Sequence, residues 1–179
     1  MAQFERLALI YTTYNNGHRN PLSYPDYCDI RDQNTVFEDM VAIHNVGVSF
    51  SYPGQEPIWI EGMKVSTSYG RVIDVPPLLG RWFAPEHEYD NVVVLSYEFW
   101  QHRLNGDPNI VGKNVIINRE PHRVLGITGP DFKFQPFTYF STPELWVPHD
   151  RDINDGTRGS QSLYSVARLK AGVSVEQAQ

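Results

Sequence analysis

Apolar positions fall in short runs along the chain, each closed by glycine, proline or a polar cluster. Arg6 to Tyr14 (RLALIYTTY) is rich in β-formers and alternates in part, which predicts a strand, and Asn15 to Asn20 (NNGHRN) has the composition of a turn. Ser23 is an N-cap residue, with Pro25 in the first helical turn and Asp26 three residues after the cap. From there Tyr24, Tyr27, Ile30 and then Val36, Phe37 and Met40 recur at helical spacing, so helix is predicted through Met40, with Gln33-Asn34 a candidate break between two short helices. Val46 to Tyr52 and Ile58 to Val65 predict two strands joined by a hairpin at Pro53-Gly54. In that hairpin Val46, Val48 and Phe50 share a face that matches Ile58 and Ile60.

The second half is more finely divided. Ser66 to Asp74 predicts a short helix, and two prolines hold Val75 to Phe83 as an apolar loop. Val92 to Leu95 is a continuous apolar run, as in a strand buried on both faces. Tyr97 to Leu104 predicts a helix capped by Ser96 and ended by Gly106-Asp107-Pro108. Asn114 to Asn118 and His122 to Thr128 pair around a turn at Arg119-Glu120-Pro121, Leu145 to Pro148 is a short strand, and Ser162 to Leu169 is the last. Ser174 and Gln177 form a capping box for a final helix. Gln179 ends that helix after about one turn, too short to hold in water, and a strand opens within a few residues of Met1, so the sequence reads as a piece cut from a longer chain.

Composition narrows the class. A chain of 179 residues suits one domain, or one domain with a smaller one inserted, and needs no metal or disulfide to build a core. Ten Tyr, nine Phe and four Trp argue against disorder. The formal charge is -6 with the acids scattered, and the densest basic stretch, Arg119 to Arg123, holds two arginines and His122. Nucleic acid is therefore not an expected partner. The single Cys28 excludes an internal disulfide and reads as a half-buried helix residue. No apolar run approaches the roughly 18–20 residues of a membrane-spanning helix, and no signal peptide opens the chain.

Motifs for chemistry are weak. The histidines at 18, 44, 87, 102, 122 and 149 show no metal-ligand spacing. Glu86-His87-Glu88 is the densest cluster and reads as a solvated loop, with a metal ligand set as the alternative. Asp150 to Gly156 resembles the start of a calcium loop but places Asp155 where glycine is required and Gln161 where a bidentate acid is required, which favours a hydrated acidic loop. No nucleophile elbow, P-loop or dinucleotide-binding glycine pattern is present, so this chain is not itself an ATPase. Whether two of the 21 acids converge for glycosidase chemistry is not legible. The aromatic stretch Phe132, Phe134, Phe137, Tyr139 and Phe140 is either cover for a core or a contact surface for a partner or lipid.

The order of the segments carries a resemblance. Ser23-Tyr24-Pro25-Asp26-Tyr27, Ile30 to Asn34, Val36-Phe37-Glu38, Leu79-Gly80-Arg81-Trp82-Phe83 and Val92 to Tyr97 with Phe99-Trp100 are similar to successive pieces of the MacB-like periplasmic core domain. So are Gly106-Asp107-Pro108, Ile110 to Lys113, Val124 to Ile127, Leu145 to Pro148 and Ala167 to Ser174. The chain thus resembles the MacB/FtsX family of ABC-transporter permeases, in particular the acidobacterial duplicated orphan permeases. The resemblance implies an α+β fold: a porter-like subdomain of two βαβ-type halves at 1–65 and 143–179, its C-terminal helix truncated, with a Sabre-like mixed insertion at 66–142. It implies an extracytoplasmic domain of an inner-membrane protein, lying between two membrane helices of a dimeric permease that works with a separate ATPase. It further implies mechanical transmission to export or to an envelope partner such as an adaptor or lipoprotein. The alternatives are a non-transport scaffold and an envelope hydrolase or ligand-binding module. No catalytic, cofactor-binding or metal-binding residue follows from it, and no cofactor or enzyme activity is expected.

Overall fold

The computed structural model describes residues 4–13, 17–134, 141–149 and 157–178. The fold is α+β, with one mixed sheet and few helices. The strands are β1 (Leu7–Ile10), β2 (Thr12–Thr13), β3 (Arg19–Asn20), β4 (Phe37–Ser51), β5 (Ile58–Val65), β6 (Leu79–Gly80), β7 (Val92–Leu95), β8 (Asn114–Ile117), β9 (Glu120–Ile127), β10 (Leu145–Pro148) and β11 (Tyr164–Leu169). The helices are α1 (Tyr24–Gln33), α2 (Tyr69–Ile73) and α3 (Tyr97–Arg103). The main sheet runs β1-β11-β4-β5-β10-β7-β9-β6, with β8 pairing both β4 and β9, while β2 and β3 form a separate ribbon.

The pairings β4–β5, β5–β10, β10–β7, β7–β9, β9–β8 and β8–β4 close a ring of strands. Apolar residues of that ring, among them Val48, Phe50, Ile60, Val93, Leu95 and Val124, pack with Phe99 and Trp100 of α3. Phe50 meets Phe99 edge-on at 4.8 Å between ring centroids, a geometry that adds about 1 kcal/mol to the area buried. The opposite sheet face, with Val41, Ile43, Met63 and Val166, packs on α2 and on Trp82 and Phe83. A third cluster sets α1, through Tyr27, against Met40, Ala42 and Ala167.

Helix ends follow their caps. Ser23 Oγ accepts from the Asp26 amide at 3.2 Å and donates to the Asp26 carboxylate at 2.5 Å. Ser96 Oγ accepts from the Phe99 amide at 3.1 Å. The final segment shows the expected capping box, Ser174 N to Gln177 Oε1 at 2.9 Å and Gln177 N to Ser174 Oγ at 3.4 Å, on a single 3₁₀ turn, Glu176–Ala178.

Four sequence expectations are corrected. Helix does not continue to Met40: α1 stops at Asn34, whose ψ of 150° is extended, and β4 begins at Phe37. The cause is burial on both faces, with Phe37 and Met40 to Ile43 all inside. Such a strand loses its alternation, and apolar residues at 36, 37 and 40 then mimic a helical period. The β8–β9 turn is Asn118-Arg119, not 119–121: both residues have left-handed backbones (φ 50° and 72°), as a tight two-residue hairpin loop requires, and Glu120 and Pro121 belong to β9. The loop from Val75 to Phe83 contains β6, where Gly80 (φ 70°) lies so close to Leu125 O that a Cβ there would stand 2.0 Å from it. Finally, Glu86-His87-Glu88 is not a solvated loop throughout, because Pro85–His87 forms a 3₁₀ turn that buries His87 at 2 % exposure.

Candidate functional site

The sequence-derived candidates do not converge. His87 Nδ1 accepts the Ala84 amide at 3.0 Å and its Nε2 lies 3.4 Å from Arg81, so the ring closes its own turn while Glu86 and Glu88 point outward. His149 Nε2 sits 3.1 Å from Ala42 O. Burial holds the His122 imidazole below its usual pKa, and its Nδ1 is 3.0 Å from Glu120 O. Cys28 is half-buried on α1. Among the described residues no three His, Cys, Asp or Glu side chains gather as a metal ion would need, and no helix is long and apolar enough to cross a membrane. The acidic loop 150–155 lies outside the described residues.

The aromatic stretch does bring something together. Phe132 and Phe134 are half-buried against the core, and Phe137, Tyr139 and Phe140 lie outside the described residues. Phe132 packs on Trp82 at 5.6 Å and edge-on against Trp146 at 5.5 Å, and Phe134 meets Tyr69 at 6.4 Å. For these two rings, cover of the core is the observed role. Tyr69 Oη and Trp146 Nε1 are buried close together, short of a well-formed hydrogen bond, and burial raises the Tyr69 phenol well above its ordinary pKa.

Beside these rings lies a cavity of about 680 Å³. It opens at the carboxyl ends of β7 and β9, a parallel pair with α3 in its crossover, and is bounded by Ser96, Thr128, Phe132, Phe134 and Trp146. Four charged residues on its rim, Glu98, His102, Arg103 and Lys133, are exposed, while Glu144 is half-buried. Burial raises the Glu144 carboxyl pKa, with a backbone hydrogen bond at Glu61 and the Arg103 charge partly opposing the shift. Sequence reasoning passed over Glu144, because it sits in a Thr-Pro-Glu run whose only signal was the strand that follows. A smaller hollow of about 180 Å³ lies between α1 and α2, where Arg71 pairs with Asp39 at 2.9 Å.

Two further features concern the chain ends and one exposed ring. β1 pairs antiparallel with β11, from Leu7↔Arg168 to Ile10↔Ser165. Arg6 fastens the pair: its Nε donates to Leu169 O at 2.9 Å, its backbone O accepts from Leu169 N at 2.8 Å, and its guanidinium meets Glu38. Trp59 on β5 is 70 % exposed, and its ring lies over Gly47 of β4, where a Cβ would come within 2.3 Å of the indole.

A family model described as the MacB-like periplasmic core domain matches residues 1–179. The chain belongs to that family. This MacB-like domain is therefore an extracytoplasmic domain of an ABC-transporter permease, and its family is a transporter-permease domain rather than an enzyme class. The fold agrees with solved structures of low identity. The periplasmic region of MacB from Actinobacillus actinomycetemcomitans superposes with TM-score 0.71 at 16% identity, over 97% of this chain and 78% of that one. A domain of a putative permease protein from Porphyromonas gingivalis gives TM-score 0.66 at 12% identity, over 97% and 77%. The extracellular domain of the noncanonic ABC-type transporter YknZ from Gram-positive bacteria gives 0.63 at 16%, over 92% and 83%. A search of the curated proteins gives no match.

Proposed function

We propose that this domain is a passive lever: it moves with the membrane helices of its permease and transmits motion driven by cytoplasmic ATP hydrolysis to export or to an envelope partner. The observation that carries the reading is the joining of the first and last strands of the sheet, β1 and β11, with Arg6 bonded to both Leu169 and Glu38. Force arriving at either end enters the same pair of strands, and those strands pass it to β4, the next strand of the sheet. Transmission of this kind rests on rigid packing rather than on reactive side chains. In the same reading 66–142 is an inserted subdomain on a body made of 1–65 and 143–179, the permease is a dimer, and its partners are its own membrane helices, a separate ATPase and an adaptor or lipoprotein.

Two measurements test it. The parent gene should encode an apolar helix before residue 1 and further ones beyond residue 179; an open reading frame without hydrophobic spans ends the reading. In the reconstituted permease, removal of this domain should leave ATP hydrolysis measurable and abolish cargo or partner handling. Unchanged handling excludes the lever. Trp59 favours a second reading, a protein-contact scaffold without transport, because a large exposed ring lying over Gly47 is a ready anchor for a partner. Unchanged export combined with a failure of complex assembly selects that scaffold.

A further inference from the structure

We propose that the cavity at the carboxyl ends of β7 and β9 binds an uncharged molecule with an apolar body and one acceptor oxygen, a ketone, ester or amide, which the hydroxyls of Ser96 and Thr128 hold by hydrogen bonds. The volume of about 680 Å³ lies inside the usual range for a small-molecule site, roughly 300–1,000 Å³. Both hydroxyl residues line it. Leu95 pairs with Ile127 in the parallel ladder, so the residues that follow, Ser96 and Thr128, leave the sheet side by side. The first turn of α3 anchors each hydroxyl: Ser96 Oγ accepts from the Phe99 amide at 3.1 Å, and Thr128 Oγ1 accepts from the Tyr97 amide at 3.2 Å. A hydroxyl carries one proton besides its acceptor lone pairs, and among the described residues neither proton has an acceptor. Ser96 is half-buried and can give its proton to water, whereas Thr128 is 3 % exposed, where an unused donor costs free energy. An acceptor oxygen in the cavity beside them takes both protons. Phe132 and Phe134 set the apolar part of the ligand, since both line the cavity and are only half-buried. The rim selects no ion: Glu98 and Glu144 stand against His102, Arg103 and Lys133, and the Glu144 carboxyl already has a backbone bond at Glu61 and the Arg103 charge. An ion of either sign meets like charge there, while an uncharged acceptor meets none. The site stands apart from the lever reading, and either can fail without the other.

Three probes of one size test it by NMR titration of the 179-residue chain: 4-phenylbutan-2-one labelled with carbon-13 at the carbonyl, isopentylbenzene, and 3-phenylpropanoate. The ketone should bind at millimolar concentration or below and shift the backbone amides of Tyr97 and Phe99, which are bonded to the two hydroxyls. Its carbonyl resonance should stay at or downfield of its position in water. Thr128→Val should lower ketone affinity about fivefold, the worth of one net hydrogen bond, and leave the hydrocarbon unchanged, which also reports that the cavity is intact. Thr128→Ser, which keeps the hydroxyl, should retain ketone binding. Full ketone affinity in Thr128→Val, an equal loss for ketone and hydrocarbon in that variant, or unshifted Tyr97 and Phe99 amides each overturns the site. So does an upfield carbonyl shift on binding, tighter binding of the carboxylate than of the ketone, or no ketone binding at millimolar concentration. If Thr128→Val alters the fold, the carbonyl shift on the unaltered chain decides.

Discussion

Arg168 is 6 % exposed beneath α2, where its Nε donates to Val72 O at 2.8 Å and a terminal nitrogen donates to Ile73 O at 3.1 Å. These are carbonyls of the last helical turn, which have no partner within the helix, and a cation there also meets the negative end of the helix dipole. Arg168→Ala should cost about 2–4 kcal/mol in urea denaturation, because it removes charge-assisted bonds and leaves buried carbonyls unpaired. Arg168→Lys should recover only part of that, since an ammonium does not reproduce the planar fork. A second residue-scale effect concerns Asp26. Its carboxyl is held below the usual carboxylate pKa, first by the hydrogen bond from Ser23 and then by Arg158, which contacts it at 2.6 Å. A depressed folded pKa stabilises the fold above the unfolded-state value, and that contribution is lost as pH falls through the folded value. Carboxyl NMR titration should therefore place Asp26 below the ordinary aspartate value. Ser23→Ala should raise it, and should also cost about 1 kcal/mol through the lost helix cap.

At the level of elements, the β8–β9 hairpin holds a testable strain. Arg119 has φ 72° and Asn118 φ 50°, and Asn118 also ties the turn to β4, its N donating to Ser49 O at 2.8 Å and its Oδ1 accepting from Ser49 N at 3.0 Å. Asn-Gly suits this turn, so Arg119→Gly should stabilise by about 0.5–1 kcal/mol, read as a higher melting temperature with an unchanged fold. A loss of stability would mean that the arginine side chain carries contacts worth more than the backbone strain. The same hairpin shows what was legible in the sequence. Its strands were expected within a residue or two, since β8 and β9 keep apolar runs, but the turn was misplaced because Pro121 reads as a turn residue and here lies within a strand, opposite Ile116. Capped elements were the most readable: Ser23, Ser96 and Ser174 each mark a start that the structure contains. β4 was half missed, because burial on both faces erased its period, and β6 was missed because two residues carry no pattern. The cavity was not legible at all. Its walls come from Ser96, Thr128, Phe132 and Glu144, which only the sheet order brings together.

For the whole molecule the open matter is whether 66–142 and the remainder behave as separable bodies. Strands of the two parts share one sheet. β10 pairs with β7 through Leu145↔Leu95 and Trp146↔Val94, and β4 pairs with β8 through Phe50↔Ile117 and Ser51↔Ile116. The clusters are shared as well, since Trp82 and Phe83 pack with Met63, Trp146 and Val166, and Phe99 and Trp100 pack with Phe50 and Leu145. Unfolding the 66–142 part alone would strip cover from both faces of the sheet that remains, exposing several large apolar side chains at roughly 1.5–3 kcal/mol each. That cost argues for loss of both parts in one transition. Urea unfolding followed by far-UV circular dichroism, by tryptophan fluorescence and by a fluorophore on an exposed site of α3 should give coincident curves with a single midpoint. An α3 probe that melts first would show that the insertion opens by itself. In that case force entering through β1 and β11 could be absorbed by the joint between the parts, and the lever would have to be a hinge.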